Sequence, residues 1–413
     1  MDTSTTLDDC ISLEDCQRAA EGLQGAIART PLVEAPLGIS AQGSGALRLK
    51  LENLQLTGSF KPRGACNRLT QLSAEQCARG VIAMSAGNHA QGVAYHANRL
   101  GIPATIVMPA TTPFSKVERT RQHGASVELY GRGLADCKER VETLIEEQGL
   151  VLVHPYDDPA IIAGQSTVGL EILADWPEVE TIVVPIGGGG LISGIAISAK
   201  AIKPDVRIIG VQAEFYPSMR QAISGETPTS GGETLAEGIA VKTPGELTKA
   251  IIRDLVDEIL LVSETEIETA VCGLAEHGKI IAEGAGAATL AALAQRPSLI
   301  DKTNVAAVVS GGNIDARMLG SVLMRGLGRD GRLVRVRIEI HDEPGVLSRL
   351  TGLIGAAGGN IVEVYHQRLF QNVPVKHAEV DVVIETRNAG HVEEILERLR
   401  GEGFSTRLQN DLS

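Results

Sequence analysis

The chain has 413 residues, a net charge of −13 and 43% apolar residues. Its length allows two or three domains with sizeable cores, and its acidity speaks against nucleic-acid binding by the chain as a whole. There is no run of about 18 apolar residues to span a membrane, Met1-Asp2-Thr3-Ser4-Thr5 carries no basic or apolar leader, and the scattered Cys10, Cys16, Cys66, Cys77, Cys137 and Cys272 contain no C-x-x-C pair, so a reducing, cytoplasmic setting is expected.

Strands and helices alternate along most of the chain. Leu47-Arg48-Leu49-Lys50-Leu51 alternates as a half-buried strand does, and a helix-like segment follows Lys61. Residues 80–84 form a short apolar strand that runs into the loop Ser85-Ala86-Gly87-Asn88, and a helix is expected from His89 to Leu100. Strands at 104–108 and 126–130 follow, then a helix over 134–148. Residues 181–186 are a strand ending in Gly187-Gly188-Gly189-Gly190, with an Ala/Ile-rich helix behind it. Residues 207–211 and 304–309 are further strands, the second running into Ser310-Gly311-Gly312-Asn313. This order predicts parallel α/β sheets covered by helices on both faces. Ligands of such sheets sit beyond the carboxyl ends of the strands, so three polar or Gly-rich loops point to one crevice.

The character changes near Gly326 to Gly331. Val334 to Ile340 alternates cleanly, Asp342-Glu343-Pro344-Gly345-Val346-Leu347 turns into a helix ending near Gly358-Gly359-Asn360, strands follow at Ile361–Arg368 and His377–Glu385, and a helix runs from His391 to Gly401. The expected division is 1–325 as a first domain, with a smaller subdomain inserted over roughly residues 50–150, 326–332 as linker, and 333–413 as a small α+β domain.

Four segments carry the chemistry. In Thr57-Gly58-Ser59-Phe60-Lys61-Pro62-Arg63-Gly64-Ala65 a lysine sits among Ser, Phe and Pro, a poor place for a solvated charge and a good one for an amine held against a flat ligand. The tetraglycine loop is either a flexible turn or a cradle whose N–H groups, with the following helix N-terminus, hold an anion. It lacks the third glycine of the G-x-G-x-x-G pattern, Ser193 standing there, so a single phosphate suits it better than a dinucleotide. The loop Ser85 to His89 is either an ordinary helix cap or a holder for a carboxylate or ring hydroxyl, and the loop Ser310 to Asn313 is open to the same two readings.

Together with Gly238-Ile239-Ala240-Val241, these motifs resemble, in order and spacing, the fold-type II pyridoxal-phosphate enzymes of the threonine/serine dehydratase group, over roughly residues 25–320. The resemblance implies two parallel-sheet α/β subdomains like those of the tryptophan synthase β chain. The region after 333 resembles an ACT domain, a module that often binds amino acids. Lys61 would then carry the Schiff base and act as general base, Phe60 would pack on the cofactor ring, and Gly187, Gly188, Gly189, Gly190 and Leu191 would cradle its phosphate. Asn88 would reach the ring hydroxyl. Ser310 would meet the pyridine nitrogen as a neutral partner, which favours expulsion of a β-leaving group over a long-lived carbanion. Ser85, Ala86, Gly87, Asn88, His89 and Gly238 would line the substrate, Ser85 and Asn88 with a part in catalysis.

The implied reaction takes threonine to 2-oxobutanoate and ammonia, and serine to pyruvate. A lyase for another hydroxyamino acid, such as 3-hydroxyaspartate, and a non-catalytic amino-acid sensor are the alternatives. Serine racemases of this fold carry a second serine where Ala86 stands, which disfavours racemisation. Gln212 stands where those racemases carry an acidic metal ligand, so the metal, monovalent or divalent, is open. An amino-acid effector, isoleucine or valine, is expected at Asp342 to Val346 and Asn360, in a homodimer or homotetramer.

Overall fold

Residues 11–36, 45–367 and 376–409 are described by a computed structural model of the chain. Met1 to Thr5, Cys10 and Arg368, the expected end of a strand, lie outside the described residues. The strands are β1 (Leu32–Glu34), β2 (Leu47–Leu51), β3 (Val81–Met84), β4 (Ala104–Met108), β5 (Ser126–Leu129), β6 (Val151–Leu152), β7 (Thr181–Pro185), β8 (Arg207–Ala213), β9 (Glu258–Val262), β10 (Val305–Val309), β11 (Leu333–His341), β12 (Asn360–Gln367), β13 (His377–Glu385) and β14 (Ser405–Leu408). The chain divides into two units, Met1–Ile314 and Asp315–Ser413.

The first unit holds two sheets. The larger has the order β1-β2-β10-β7-β8-β9, parallel apart from β1. The smaller, β5-β4-β3-β6, is parallel throughout and lies in the chain between β2 and β7. β7 and β10 are buried at every residue, which is why they read as unbroken apolar runs: helices cover both faces. The loops after β3, β7 and β10 leave the carboxyl ends of their strands, the position where such sheets bind ligands.

Helix Pro159–Asp175 is the central strut of this unit. Asp158 caps it by accepting from the N–H groups of Ala160 (2.8 Å) and Ile161 (3.1 Å). It crosses helix Lys61–Leu69 so closely that a Cβ on Gly164 would stand 2.6 Å from the Cα of Gly64, so only glycine fits. Beside this crossing lies a buried charge network. All five N–H donors of Arg63 are used: Nε and Nη2 on the two oxygens of Glu52 (2.7 and 2.8 Å), Nη1 and Nη2 on those of Glu171 (2.7 and 2.9 Å), and Nη1 also on Thr167 Oγ1 (3.0 Å). Lys50 Nζ completes the network on Glu171 (2.5 Å) and the Thr30 carbonyl (2.7 Å). It joins the helix that opens at Lys61 to β2 and to the central strut.

In the second unit, helix Ala316–Arg329 leads into an antiparallel sheet of order β12-β13-β11-β14. Val334, Val336, Ile338 and Ile340 of β11 point into its core with Leu350 and Ile354 of helix Val346–Ala356 and Ile395 and Leu399 of helix Ala389–Gly401. The stretch 326–332, expected as a linker, instead begins inside helix Ala316–Arg329. Its glycines suggested a break, but Gly326 is buried one turn from buried Val322, and the turn comes at Gly331 (φ 64°). Among the described residues no helix is long and apolar enough to cross a membrane.

Candidate active site

The segment before Lys61 is stitched to the loop after β10. Ser59 and Gly311 form an antiparallel bridge, the Phe60 N–H donates to the Ser310 carbonyl (3.1 Å), and the Gly312 N–H to the Gly58 carbonyl (2.9 Å). The helix then opens at Lys61, with Pro62 in its first turn where a missing N–H costs nothing. Lys61 Nζ donates to the Pro155 carbonyl (2.7 Å) and lies 5.0 Å from the centre of the Phe60 ring. Burial lowers its pKa to about 8 against the opposing charge of Glu283. A lysine so placed gives up its proton more readily than a solvated one.

The glycine loop follows β7. Gly189 has φ 99°, a left-handed turn that aims the chain into helix Gly190–Ile202. The Tyr156 ring packs where a Cβ on Gly188 would stand, and the Tyr156 backbone lies 3.0 Å from the corresponding position on Gly190. The Thr248 hydroxyl donates to the Gly188 carbonyl (2.7 Å), and Tyr156 donates its hydroxyl to the Thr243 carbonyl (3.1 Å). Backbone N–H groups, with no side chains between, line this loop and the helix start. Leu191 buries its side chain in the core of the larger sheet, which takes that side chain out of the expected cofactor contact.

In the loop after β3, Ser85 Oγ accepts the Gly87 N–H (3.2 Å), and Ala86 packs on the core of the smaller sheet. Helix Asn88–Arg99 then starts, and its first-turn N–H groups have no intrahelical acceptors. The His89 imidazole turns away from this opening: Nε2 donates to the Val153 carbonyl (2.8 Å), and burial, the first of the causes, holds its pKa down to about 3. The neutral His89 ring is therefore already used, which leaves only its backbone for the expected contact with substrate. Phe60 likewise packs on the core of the larger sheet as well as against the Lys61 amine.

Glu283 went unread in the sequence. It caps helix Gly284–Gln295, and its Oε1 accepts from Asn88 Nδ2 (2.7 Å). The same oxygen lies 3.3 Å from where a Cβ on Gly238 would be and 2.5 Å from that of Gly311. Burial raises its pKa to about 7, opposed by the Asn88 hydrogen bond. Gly238 in turn stands beside Gly187, its carbonyl 3.2 Å from the Cβ position there. A closed circuit results: Lys61 to Pro155, Tyr156 to Gly188, Gly187 to Gly238, Gly238 to Glu283, and Glu283 to Asn88 and Gly311, which returns to Ser59. Only a lone acid before the small-residue run Gly284-Ala285-Gly286-Ala287-Ala288 marked Glu283 in the chain.

The pyridoxal phosphate implied by the resemblance fits these residues. A glycine cradle bare of side chains suits a phosphate, a buried amine of lowered pKa suits an aldehyde, and the fully buried Ser59 Oγ finds no partner among the described residues. Ser310 is buried beside them, its Oγ only 3.4 Å from the Ala285 carbonyl, a long bond that leaves the hydroxyl available. Among the described residues no three His, Cys, Asp or Glu side chains gather to hold a metal. Gln212, near the end of β8, is spent on the chain that follows it, donating to the Tyr216 carbonyl (3.1 Å) and accepting the Arg220 N–H (3.0 Å).

The chain is similar to known proteins along most of its length. The chain is 45% identical to an L-threonine ammonia-lyase of Thermotoga maritima, over 96% of this chain and 99% of the relative. A solved structure of the processed form of threonine deaminase isoform 2 from Solanum lycopersicum superimposes with a TM-score of 0.72 at 36% identity, covering 76% of this chain and 87% of that one. A maize serine racemase structure gives 0.72 at 35% identity, covering 78% and 99%. Residues 334–403 match the ACT domain family. With residues 23–311 matching the family described as pyridoxal-phosphate dependent enzyme, the chain belongs to that family.

Proposed function

We propose that the protein is a threonine ammonia-lyase that converts L-threonine to 2-oxobutanoate and ammonia, and L-serine to pyruvate. The observation that carries this reading is the end-to-end likeness to the Thermotoga maritima L-threonine ammonia-lyase, 45% identical over 96% of this chain with the ACT region included.

The residues divide the work. Bound at this site, pyridoxal phosphate supplies a sink for the electron pair left when the substrate loses its α-proton. Gly187 to Gly190 hold the phosphate through backbone N–H groups. The N–H groups at the start of helix Asn88–Arg99, with Ser85, hold the substrate carboxylate. Lys61 Nζ takes the α-proton, as its lowered pKa suits it to do. Ser310 offers a neutral hydroxyl to the ring nitrogen and does not deepen the sink, which favours loss of the β-hydroxyl. The water formed from that hydroxyl is restored on hydrolysis, so the net change is one threonine to one 2-oxobutanoate and one ammonia. Ala86 brings only a methyl group, packed on the core of the smaller sheet, which supports a lyase over a racemase.

Regulation is assigned to the ACT domain. A cavity of about 490 Å³ there is lined by Glu343, Pro344, Val346, Arg349, His377 and Phe404. Glu343 and Arg349 offer opposite charges to a zwitterion, and Val346 and Pro344 a small apolar wall, which suits isoleucine or valine. Of the other expected contacts, neither Asp342 nor Asn360, which is bonded to Glu385 (2.8 Å), lines this cavity. We place the enzyme in the cytoplasm as a homodimer or homotetramer; the five described cysteines form no disulfide, which supports a reducing setting.

The test is an absorbance spectrum of the purified protein with and without threonine, joined to keto-acid release from threonine, serine and 3-hydroxyaspartate. A visible cofactor band that changes with threonine, and release fastest from threonine, is the expected result. A colourless protein, or faster release from another acid, overturns the reading.

A further inference from the structure

Asn88 is held at both ends, and the direction of each bond is fixed by chemistry. The Thr57 carbonyl can only accept, so Asn313 presents Nδ2 to it (2.7 Å). The second hydrogen of that nitrogen goes to Asn88 Oδ1 (2.8 Å). With its oxygen facing Asn313, Asn88 turns Nδ2 to Glu283 Oε1 (2.7 Å). One N–H of Asn88 remains. The chain of donors therefore runs from a backbone carbonyl to a buried carboxylate and leaves Asn88 a single free hydrogen of set direction.

We propose that Glu283 is a positioning residue of this site: by accepting one N–H of Asn88 it aims the other at the oxygen on the cofactor ring. The inference rests on pyridoxal phosphate as the cofactor and leaves the substrate aside. Glu283 is not needed to build the helix it caps, since its side chain makes no capping bond there. Its carboxylate is also the charge felt by Lys61. The groups that face it are Lys61, Asn88, the Asn313 N–H, and the Lys116–Glu237 ion pair, whose members lower and raise its pKa respectively. With that pKa raised to about 7, the carboxyl changes charge near neutral pH, and the donor assigned here to the ring oxygen hangs on the group that titrates.

The test uses the full-length holoenzyme and two readouts that need no turnover: the rate of cofactor release on dilution, and the pH titration of the visible absorbance band. Glu283→Ala is expected to release cofactor about tenfold faster. Asn88→Ala should do the same, and the double variant should be no faster than either single one within about threefold, because both remove one device. Glu283→Gln keeps a carbonyl oxygen for the Asn88 N–H, so its release rate should stay within about threefold of the parent. It should lose the absorbance transition near pH 7. Wild-type release from Glu283→Ala, multiplying effects in the double variant, or a retained transition in Glu283→Gln overturns the proposal. Should Glu283→Ala fail to fold, the Gln variant decides alone. Keto-acid release, measured separately, reports on the substrate reading, so the two can fail independently.

Discussion

Arg63 and Glu171 meet through two parallel hydrogen bonds of 2.7 and 2.9 Å, with the Arg63 side chain wholly buried. Burial pushes the Glu171 carboxyl up, but the hydrogen bonds and charges of Arg63 and Lys50 together outweigh it and hold the group below its ordinary value. Arg63 stands two residues past Lys61, so the pair sets where the first turn of that helix lies. A buried ion pair is weak evidence for stability by itself, since the desolvation of both charges opposes the attraction. Removing one partner is a different matter, because the other charge is left in the interior.

Glu171→Ala is therefore expected to cost about 3–5 kcal/mol in unfolding free energy. Arg63 would keep Glu52, and Lys50 would keep only the Thr30 carbonyl. Urea unfolding of the variant and its parent measures the difference. A loss under about 1 kcal/mol would mean that the network is dispensable to the fold. The same variant should load pyridoxal phosphate more slowly, since the helix carrying Lys61 loses an anchor.

Acid should weaken the protein well above the carboxylate range, and His89 is one cause. Its folded pKa, about 3, lies below the ordinary 6.5, so between these values the unfolded chain binds the proton and the folded chain does not. The contribution is present in full above pH 6.5 and is lost as pH falls toward 3, at about 1.4 kcal/mol per pH unit. His96, lowered to about 4 by burial, acts in the same sense. Glu283, raised to about 7, acts in the opposite sense between 4.5 and 7, where the folded chain holds the extra proton. His89→Gln keeps a nitrogen donor for the Val153 carbonyl and removes the titration. Between pH 6.5 and 4.5 its stability should fall less steeply than the parent's by one proton's slope. Equal slopes would show that His89 is protonated in the fold.

Much of this was legible in the chain, and what was not has physical causes. The strands at 104–108 and 377–385 are found where the pattern puts them, the first as a short apolar run that is nearly all buried, the second as a run whose polar and apolar residues largely alternate. The glycine loop and Ser310 announce themselves as small residues just after apolar strands, and Lys61 as a charge set among Ser, Phe and Pro where a helix opens. Helices Pro159–Asp175 and Gly284–Gln295 do not, since both are buried nearly all round and carry no amphipathic period. Glu283 escaped for the same reason: 195 residues separate it from Asn88, and nothing local distinguishes an acid that meets an amide from one in water. His89 misled in the other direction, as a histidine in a promising loop whose ring the fold had already claimed.

The glycine cradle is closed by Tyr156, and this makes a sharp prediction. A methyl group at 188 would collide with the Tyr156 ring near its attachment, which cannot swing aside as a flexible tip would. Gly188→Ala should cost about 1–3 kcal/mol of strain and weaken cofactor binding about tenfold. Removing the obstacle tests the cause: in Gly188→Ala combined with Tyr156→Ala, most of the affinity should return, while Tyr156→Phe in place of Tyr156→Ala should restore nothing. Spectral titration with pyridoxal phosphate measures each. Equal affinity of Gly188→Ala and the parent would show that the loop has room to spare.

In the ACT domain the Arg349 guanidinium lies 4.9 Å from the centre of the Phe404 ring, on the wall of the 490 Å³ cavity. Held over the ring, its guanidinium has N–H groups to offer a carboxylate. Arg349→Ala should leave threonine turnover without effector unchanged, since no residue of the site just described lies in this unit. What it should remove is the response to isoleucine or valine. Coupling between effector and substrate sites commonly amounts to about 1–3 kcal/mol, or a five- to 150-fold shift in affinity, so the parent's threonine saturation curve should move by at least fivefold when the effector is added, and the variant's should not. Isothermal titration of the same two proteins with the amino acid separates lost binding from lost coupling: the expected result is no measurable binding in Arg349→Ala. A variant that binds and responds as the parent does would remove Arg349, and with it this cavity, from the regulation of the enzyme.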